Sequence, residues 1–192
     1  MPYELVTIGT SLGGLNALES ILNRLAPGFR TPIAVVQHRG VLSTGSLAGT
    51  LRRYTDLQVR EAQDKEPILP GRITLAPPDY HLMVDGAEYA LTTEAPVLFA
   101  RPSIDVLFQS ASDAYGSRLL AILLTGASRD GAAGAAHVKS RGGGLVVQEP
   151  ASAECSVMPR AAIEAVTPNW VLPVEKIGPL LNHLQCTSGN GK

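Results

Sequence analysis

Apolar residues follow two different spacings along the chain. Four short runs are apolar at nearly every position, which is typical of strands buried on both faces of a parallel sheet. These runs are Leu5–Ile8, Ile33–Val36, Leu119–Leu124 and Gly144–Val147. Between the first two runs, leucines recur every three or four residues, and this spacing predicts a helix that ends near Pro27-Gly28. A strand, a helix and a second strand therefore follow one another directly.

The rest of the chain extends this alternation and adds one different region. Helical spacing and flanking glycine or proline predict four further helices: Ser46–Arg53, Ser103–Tyr115, Gly131–Ser140 and Val174–Leu184. In the middle, turn signals at Pro77-Pro78 and Asp85-Gly86 separate three predicted strands: Arg72–Ala76, Tyr80–Val84 and Glu88–Thr92. We therefore predict an α/β fold, with a doubly wound, mostly parallel sheet, helices on both faces and an antiparallel β-hairpin insertion at about 72–92.

Length and composition narrow the class of protein. The 192 residues, 45% of them hydrophobic and 17% charged, fit one folded unit, which we expect over 1–186 with a flexible tail at 187–192. A net charge of −1 and few aromatic residues argue against nucleic acid as a partner. Cys155 and Cys186 are too few for a disulfide framework and fit a reducing compartment. With no apolar run of membrane-spanning length, we expect a cytoplasmic protein that is not inserted in a membrane.

The segment from Ile8 to Gly14 joins the first strand to its helix, where ligands gather in open α/β sheets. Gly9, Ser11 and Gly13 have the G-x-S-x-G spacing of a turn that exposes a serine nucleophile above a sheet. A serine at this place often only caps the helix, and for an isolated serine capping is the better interpretation. A dinucleotide site and a P-loop are excluded, because Ser11 replaces the second glycine of the one and Leu15 the lysine of the other.

A serine nucleophile needs a base and a carboxylate that orients the base. His38 ends the second predicted strand and could reach Ser11 from the same sheet edge, whereas His81, His137 and His183 lack that placement. Asp130 follows the strand at Leu119–Leu124 and could supply the carboxylate or cap the next helix. Asp105 and Asp79 are also open as the orienting group, so spacing alone leaves a serine, a histidine and several aspartates.

From Val6 to about Ala165 the chain resembles the catalytic domain of the chemotaxis protein-glutamate methylesterases, the CheB family. Six ordered blocks carry the resemblance: Ile8–Gly14, Val35–His38, Leu75–Leu82, Arg101–Phe108, Leu124–Gly126 with Asp130–Ala132, and Met158–Ala162. The resemblance implies that Ser11 is the nucleophile, His38 the base and Asp130 the orienting carboxylate. It further implies that the backbone amides of Leu12 and Ala127 stabilise the oxyanion.

The resemblance implies a serine hydrolase that removes methyl esters from glutamate side chains, and that also deamidates glutamine in some members. Its expected partners are the methylated cytoplasmic helices of chemoreceptors or a similar methylated protein, and no cofactor or metal is expected. Many members carry a receiver domain in front, which leads us to expect a stand-alone member here that is active without a phosphodonor. The alternatives are a general small-molecule esterase or amidase, and a catalytically silent binding domain of the same fold.

Overall fold

The computed structural model describes residues 3–39 and 46–186. Within them lie nine strands: β1 (Leu5–Thr10), β2 (Ile33–Gln37), β3 (Gln58–Glu61), β4 (Arg72–Leu75), β5 (His81–Asp85), β6 (Glu88–Thr92), β7 (Leu119–Leu123), β8 (Gly144–Gln148) and β9 (Trp170–Leu172). The same residues form six α-helices: α1 (Gly14–Leu22), α2 (Leu47–Leu51), α3 (Ile104–Tyr115), α4 (Ala132–Ser140), α5 (Val157–Ala165) and α6 (Val174–Cys186). No helix in these ranges is long and apolar enough to span a bilayer.

Seven strands form one parallel sheet in the order β3-β4-β2-β1-β7-β8-β9. The chain winds from β1 outward through β2 on one side, and then crosses back to β7 on the other side of β1. Val6 of the central strand therefore lies between Ile33 of β2 and Leu120 of β7. In such sheets the carboxyl ends of the strands at this reversal form the crevice that binds ligands.

Helices cover both faces of the sheet, as predicted. On one face, Leu18 of α1 and Ile177 of α6 pack with Val6 and Ile8 of the sheet. On the other face, helices α3, α4 and α5 pack against Leu5, because successive side chains of a strand point to opposite faces. Both faces of β1 are buried, which explains why its sequence is uniformly apolar or weakly polar. The predicted doubly wound fold is confirmed.

The antiparallel hairpin is real but shorter than predicted. Strands β5 and β6 pair with each other outside the main sheet and pack against α3 through Leu82 and Tyr89. The predicted insertion began at residue 72, whereas β4 is a parallel strand of the main sheet between β2 and β3. Ile73 and Leu75 are buried beneath the helices of the α1 face, so β4 belongs to the core of the sheet and the hairpin starts after Pro77-Pro78.

Three elements were absent from the prediction. Strands β3 and β9 lie at the two edges of the sheet, and each is too short for a clear periodic pattern. Helix α5 contains Pro159, which hides its helical pattern but is tolerated here because it lies in the first turn. The first helix also ends earlier than predicted, at Leu22. The predicted tail at 187–192 lies outside the described residues, and the single unit over 1–186 stays a prediction.

Candidate active site

Three chain segments leave the sheet side by side at its carboxyl edge. Ser11 follows β1, His38 follows β2, and the loop that leads to Asp130 follows β7. Thr10 pairs in register with Gln37, and the backbone N–H of His38 donates to the carbonyl of Thr10 at 3.0 Å. The sheet itself therefore brings the predicted serine, histidine and aspartate to one edge.

Backbone and side-chain hydrogen bonds hold the turn that carries Ser11. The Ser11 N–H donates to the Thr125 carbonyl at 3.0 Å, and the Gln37 side-chain amide donates to the Ser11 carbonyl at 2.8 Å. The Thr125 hydroxyl then donates to the carbonyl of Leu12 at 2.8 Å. Within 3–39 and 46–186, no hydrogen bond engages the Ser11 hydroxyl. The turn is therefore fixed through its backbone, and its serine side chain takes no part in the hydrogen bonds that the described residues form there.

Ser11 does not cap the helix that follows it. The N-cap of α1 is Gly13, which has a φ of 78° and makes no side-chain capping bond. A Cβ atom at Gly13 would lie 2.6 Å from the Cβ of Glu154, so both the backbone conformation and the space favour glycine there. The capping interpretation of Ser11 is therefore wrong.

His38 is bonded to Asp130. The His38 Nε2 lies 2.7 Å from Asp130 Oδ2, with the histidine side chain 16% exposed and the carboxylate fully buried. The carboxylate only accepts hydrogen bonds when it is ionised, so Nε2 carries the proton and Nδ1 of the neutral ring is the acceptor. Among the three aspartates left open by the sequence, Asp130 is the one that contacts His38.

Three further donors surround the Asp130 carboxylate. The Ser103 hydroxyl donates to Oδ1 at 2.8 Å, and the N–H groups of Ile104 and Asp105 donate to Oδ2 and Oδ1 at 2.7 and 3.0 Å. Burial raises the pKa of Asp130, but the hydrogen bonds from His38 and the two amides outweigh it and place that pKa below its ordinary value. Asp130 therefore satisfies the N-terminus of α3, and it does not cap α4, whose N-cap is Gly131.

Asp105 mirrors Asp130 across the two helices. Its Oδ1 accepts from the N–H groups of Gly131 at 2.9 Å and Gly134 at 2.6 Å, at the start of α4. Burial raises the pKa of Asp105 to about 6, and the negative charge of Asp130 adds to that rise. Each aspartate thus satisfies amides of the other's helix. Asp79, the third candidate, is instead paired with Arg101 at 2.5 Å.

The remaining histidines lie in other surroundings. His81 is buried, with Nδ1 accepting from the Ser103 N–H at 3.1 Å and Nε2 lying 3.2 Å from the Ala95 carbonyl. His137 pairs with Asp113 on the surface at 2.9 Å, and His183 is exposed on α6. His81 therefore reaches Asp130 only through Ser103, and within the described residues none of the three histidines forms a hydrogen bond with Ser11 or Asp130.

An open cleft lies above Ser11. It has a volume of about 530 Å³, and Ser11, Leu12, His38 and Glu154 are among its lining residues. The backbone N–H groups of Leu12 and Ala127 have no hydrogen-bond acceptor within the described chain. A Cβ atom at Gly126 would lie 2.9 Å from the Ser11 Cβ, so the segment after β7 passes directly beside the serine. Within the described residues, one amide without an acceptor thus follows Ser11 directly, and the other belongs to the residue after Gly126, which lies beside Ser11.

Sequence reasoning missed the residues that hold the site together. Gln37, Thr125 and Ser103 each stood next to a predicted site residue or in a matching block, but no role was assigned to them. Their partners are far away in the sequence: the Ser103 hydroxyl bonds a residue 27 positions later, and the Thr125 hydroxyl one 113 positions earlier. Only the neighbourhood of a strand end could have hinted at Gln37 and Thr125.

Comparison with known proteins places the chain in a family. The family model described as CheB methylesterase matches residues 6–181. A putative protein-glutamate methylesterase/protein-glutamine glutaminase of Leptospira interrogans is 43% identical, with 96% of both chains covered. A relative of the same type from Anaeromyxobacter dehalogenans is 42% identical over 94% of this chain, which spans 53% of that longer protein. The crystal structure of the Thermotoga maritima CheB methylesterase catalytic domain superposes with a TM-score of 0.89 at 34% identity, covering 96% of this chain and all of that one. On these matches, the chain belongs to the CheB methylesterase family.

Proposed function

We propose that the protein hydrolyses methyl esters of glutamate side chains in a protein substrate, with Ser11 as nucleophile, His38 as base and Asp130 as orienting carboxylate. The observation that carries the proposal is the Nε2–Oδ2 bond of 2.7 Å, in the same cleft as a serine whose hydroxyl forms no hydrogen bond within the described residues. The names of the two relatives, protein-glutamate methylesterase and protein-glutamine glutaminase, support the same acyl chemistry.

The contacts of His38 support one path for the proton. Because Nε2–H faces the buried carboxylate, Nδ1 is the nitrogen that accepts the Ser11 proton as the hydroxyl attacks the ester carbonyl. Asp130 remains ionised throughout and stabilises the imidazolium, since its pKa lies below the ordinary value. The low pKa thus suits the role of a fixed anion that does not itself take the proton.

The unpaired amides supply the second requirement of acyl transfer. The N–H groups of Leu12 and Ala127 are available to donate to the oxyanion of the tetrahedral intermediate. Collapse of that intermediate releases methanol, which takes the proton from His38, and leaves an acyl group on the Ser11 oxygen. Water activated by His38 then releases the glutamate carboxylate and restores the serine. A glutamine side chain would follow the same steps with ammonia as leaving group.

We infer that the physiological substrate is a methylated chemoreceptor or a similar methylated protein, and that the protein acts in the cytoplasm. The family membership and the small number of cysteines support this inference. The two rivals predict different outcomes: a small-molecule esterase would prefer small esters to methylated receptor, and a silent binding domain would hydrolyse neither.

A covalent label tests the nucleophile directly. The protein is treated with a serine-directed phosphonate, and the modified peptide is located by mass spectrometry. We expect one adduct, on Ser11, which is absent from Ser11→Ala and slower to form in His38→Ala. Ser156, which is partly exposed at the start of α5, serves as an internal control and is expected to stay unlabelled. An adduct on another serine would overturn the assignment of Ser11.

A further inference from the structure

Exposed apolar side chains collect around the cleft. Leu12 and Leu15 line the 530 Å³ cleft and are half-exposed. A second hollow of about 340 Å³ adjoins it, because His38 borders both, and Phe99 lines this second hollow with its side chain fully exposed. Leu98, beside Phe99, is 53% exposed. Apolar residues thus frame both ends of a groove that passes over His38.

Leu98 and Phe99 form the tip of a tight turn that does not suit their residue types. Val97 and Ala100 exchange two backbone hydrogen bonds of 3.1 and 2.8 Å, which leaves Leu98 and Phe99 as the two central residues. Both have positive φ, 47° and 64°. Asn-Gly is the preferred pair for a turn with positive φ at both centres, and large side chains there are strained. Strain of this kind persists mainly where the side chains serve a function.

Hydrogen bonds fix the segment that leads to this turn, from Thr93 to Ala95. The Arg101 guanidinium donates to the carbonyls of Thr93 and Glu94 at 2.8 and 3.1 Å, and to the Asp79 carboxylate at 2.5 Å. His81, buried beneath, contacts the Ala95 carbonyl at 3.2 Å. The chain therefore presents two apolar side chains to solvent from a braced support, at the rim of the groove.

We propose that Leu98 and Phe99 are a docking tip that contacts apolar side chains of the methylated protein substrate beside the scissile ester. The proposal rests on the proposed function, because the hollow that Phe99 lines adjoins the cleft above Ser11 at His38. A side chain of one glutamate methyl ester is too small to reach both hollows. The tip therefore determines affinity for a protein substrate and leaves the chemistry of the ester untouched.

The test replaces the tip by the pair that its backbone prefers. In L98N/F99G the turn is relieved of strain, so the melting temperature is expected to hold or rise, while the apolar contact is lost. We expect KM for membranes carrying a methylated chemoreceptor to rise about tenfold, as for loss of one large buried apolar contact. Hydrolysis of p-nitrophenyl acetate is expected to stay within twofold of wild type. Leu69→Asn, an exposed apolar residue before β4 and thus at the opposite edge of the sheet, is the matched control and is expected to change neither substrate.

Co-sedimentation separates this inference from the proposed function. Ser11→Ala protein, with and without L98N/F99G, is spun with the same receptor membranes, so that binding is measured without turnover. Weaker binding of the tip variant supports the docking tip even if the wild type failed to hydrolyse the ester. Equal binding, or an equal loss of activity on both substrates, would overturn it. Loss of a dimer in sedimentation velocity would assign the tip to self-association and overturn it as well.

Discussion

The turn that carries Ser11 and the pocket that holds Asp130 lie at the same edge of the sheet, yet different atoms stabilise them. The turn is fixed through main-chain groups, namely the N–H of Ser11 and the carbonyls of Ser11 and Leu12, and the serine hydroxyl makes no hydrogen bond within the described chain. Asp130 is fixed through its side chain, whose two oxygens accept from four donors.

The difference follows from what each group would do in ester hydrolysis. A nucleophile must be free to form and break a bond at its side-chain oxygen, so its support has to come from the backbone. An orienting carboxylate must keep its charge and its position, which requires a full set of donors. Removal of Ser11 should therefore affect chemistry alone, whereas removal of Asp130 should affect chemistry and folding together.

The largest expected effect is that of Ser11→Ala. Turnover of a methylated receptor should fall by about six orders of magnitude, because the proposed nucleophile is lost. The free energy of unfolding should change by no more than about 0.5 kcal/mol, since the hydroxyl makes no hydrogen bond with the part of the chain that the structure describes. Initial rates and urea unfolding of the purified variant measure the two quantities. Wild-type turnover in this variant would remove Ser11 from the mechanism.

Asp130→Asn should damage both properties. The amide group must place a donor where the carboxylate now accepts, so at least one buried donor among Ser103, Ile104 and Asp105, or His38 itself, loses its acceptor. We expect turnover to fall about a thousandfold or more, because the histidine tautomer is no longer fixed. We also expect a loss of about 3 kcal/mol in the free energy of unfolding. A variant as stable as wild type would show that the four donors do not depend on the charge.

A smaller effect is expected where the turn is loosened and the nucleophile kept. Thr125→Val removes the hydroxyl that donates to the Leu12 carbonyl and accepts from the Cys155 N–H at 2.9 Å, while the carbonyl that holds Ser11 remains. We expect about a tenfold fall in turnover and a loss of about 1–2 kcal/mol in stability. Thr7→Val is the matched control, because the Thr7 hydroxyl is buried in β1 and has no hydrogen-bond partner among the described residues. The prediction fails if the two variants behave alike.

The sequence already predicted that Ser11 and His38 lie at one edge of the sheet, but it did not predict the hydrogen bonds that hold Ser11 and Asp130 in place. The strands on both sides of β1 were predicted because residues buried on two faces must be apolar, and that placed Ser11 and His38 at one edge. The choice among Asp130, Asp105 and Asp79 was beyond pattern alone, because each carboxylate can cap a helix, pair with arginine or orient a histidine. The choice depends on how α3 and α4 are packed, and the family resemblance, not spacing, selected Asp130.

The hairpin boundary shows the same limit. Arg72–Leu75 and the strands β5 and β6 have similar lengths and similar apolar content, so spacing did not separate a core strand from a hairpin. What separates them is pairing: Ile73 lies opposite Ile33 of β2, whereas β5 meets only β6. The sequence also did not predict that Leu98 and Phe99 are exposed, since a pair of apolar residues is expected to be buried unless the turn that exposes it is known.

The smallest expected effect concerns Asp105, the partner of Asp130 across the two helices, and appears in stability alone. In the wild type, a single oxygen of Asp105 accepts the N–H groups of both Gly131 and Gly134. The side-chain carbonyl of Asp105→Asn can therefore still accept both hydrogen bonds. Burial raises the pKa of Asp105 to about 6, so the folded protein holds this proton more tightly than the unfolded chain does. Wild type therefore loses stability as pH rises from about 4 to 6, and the variant lacks that loss.

The pKa of Asp130 is shifted in the opposite direction, so the stability that Asp130 contributes is lost only as pH falls below the ordinary pKa of an aspartate. Urea unfolding at intervals from pH 4 to 7 should show the variant gaining on wild type by about 1–2 kcal/mol as pH rises. A difference that stays constant with pH would mean that Asp105 does not carry the raised pKa.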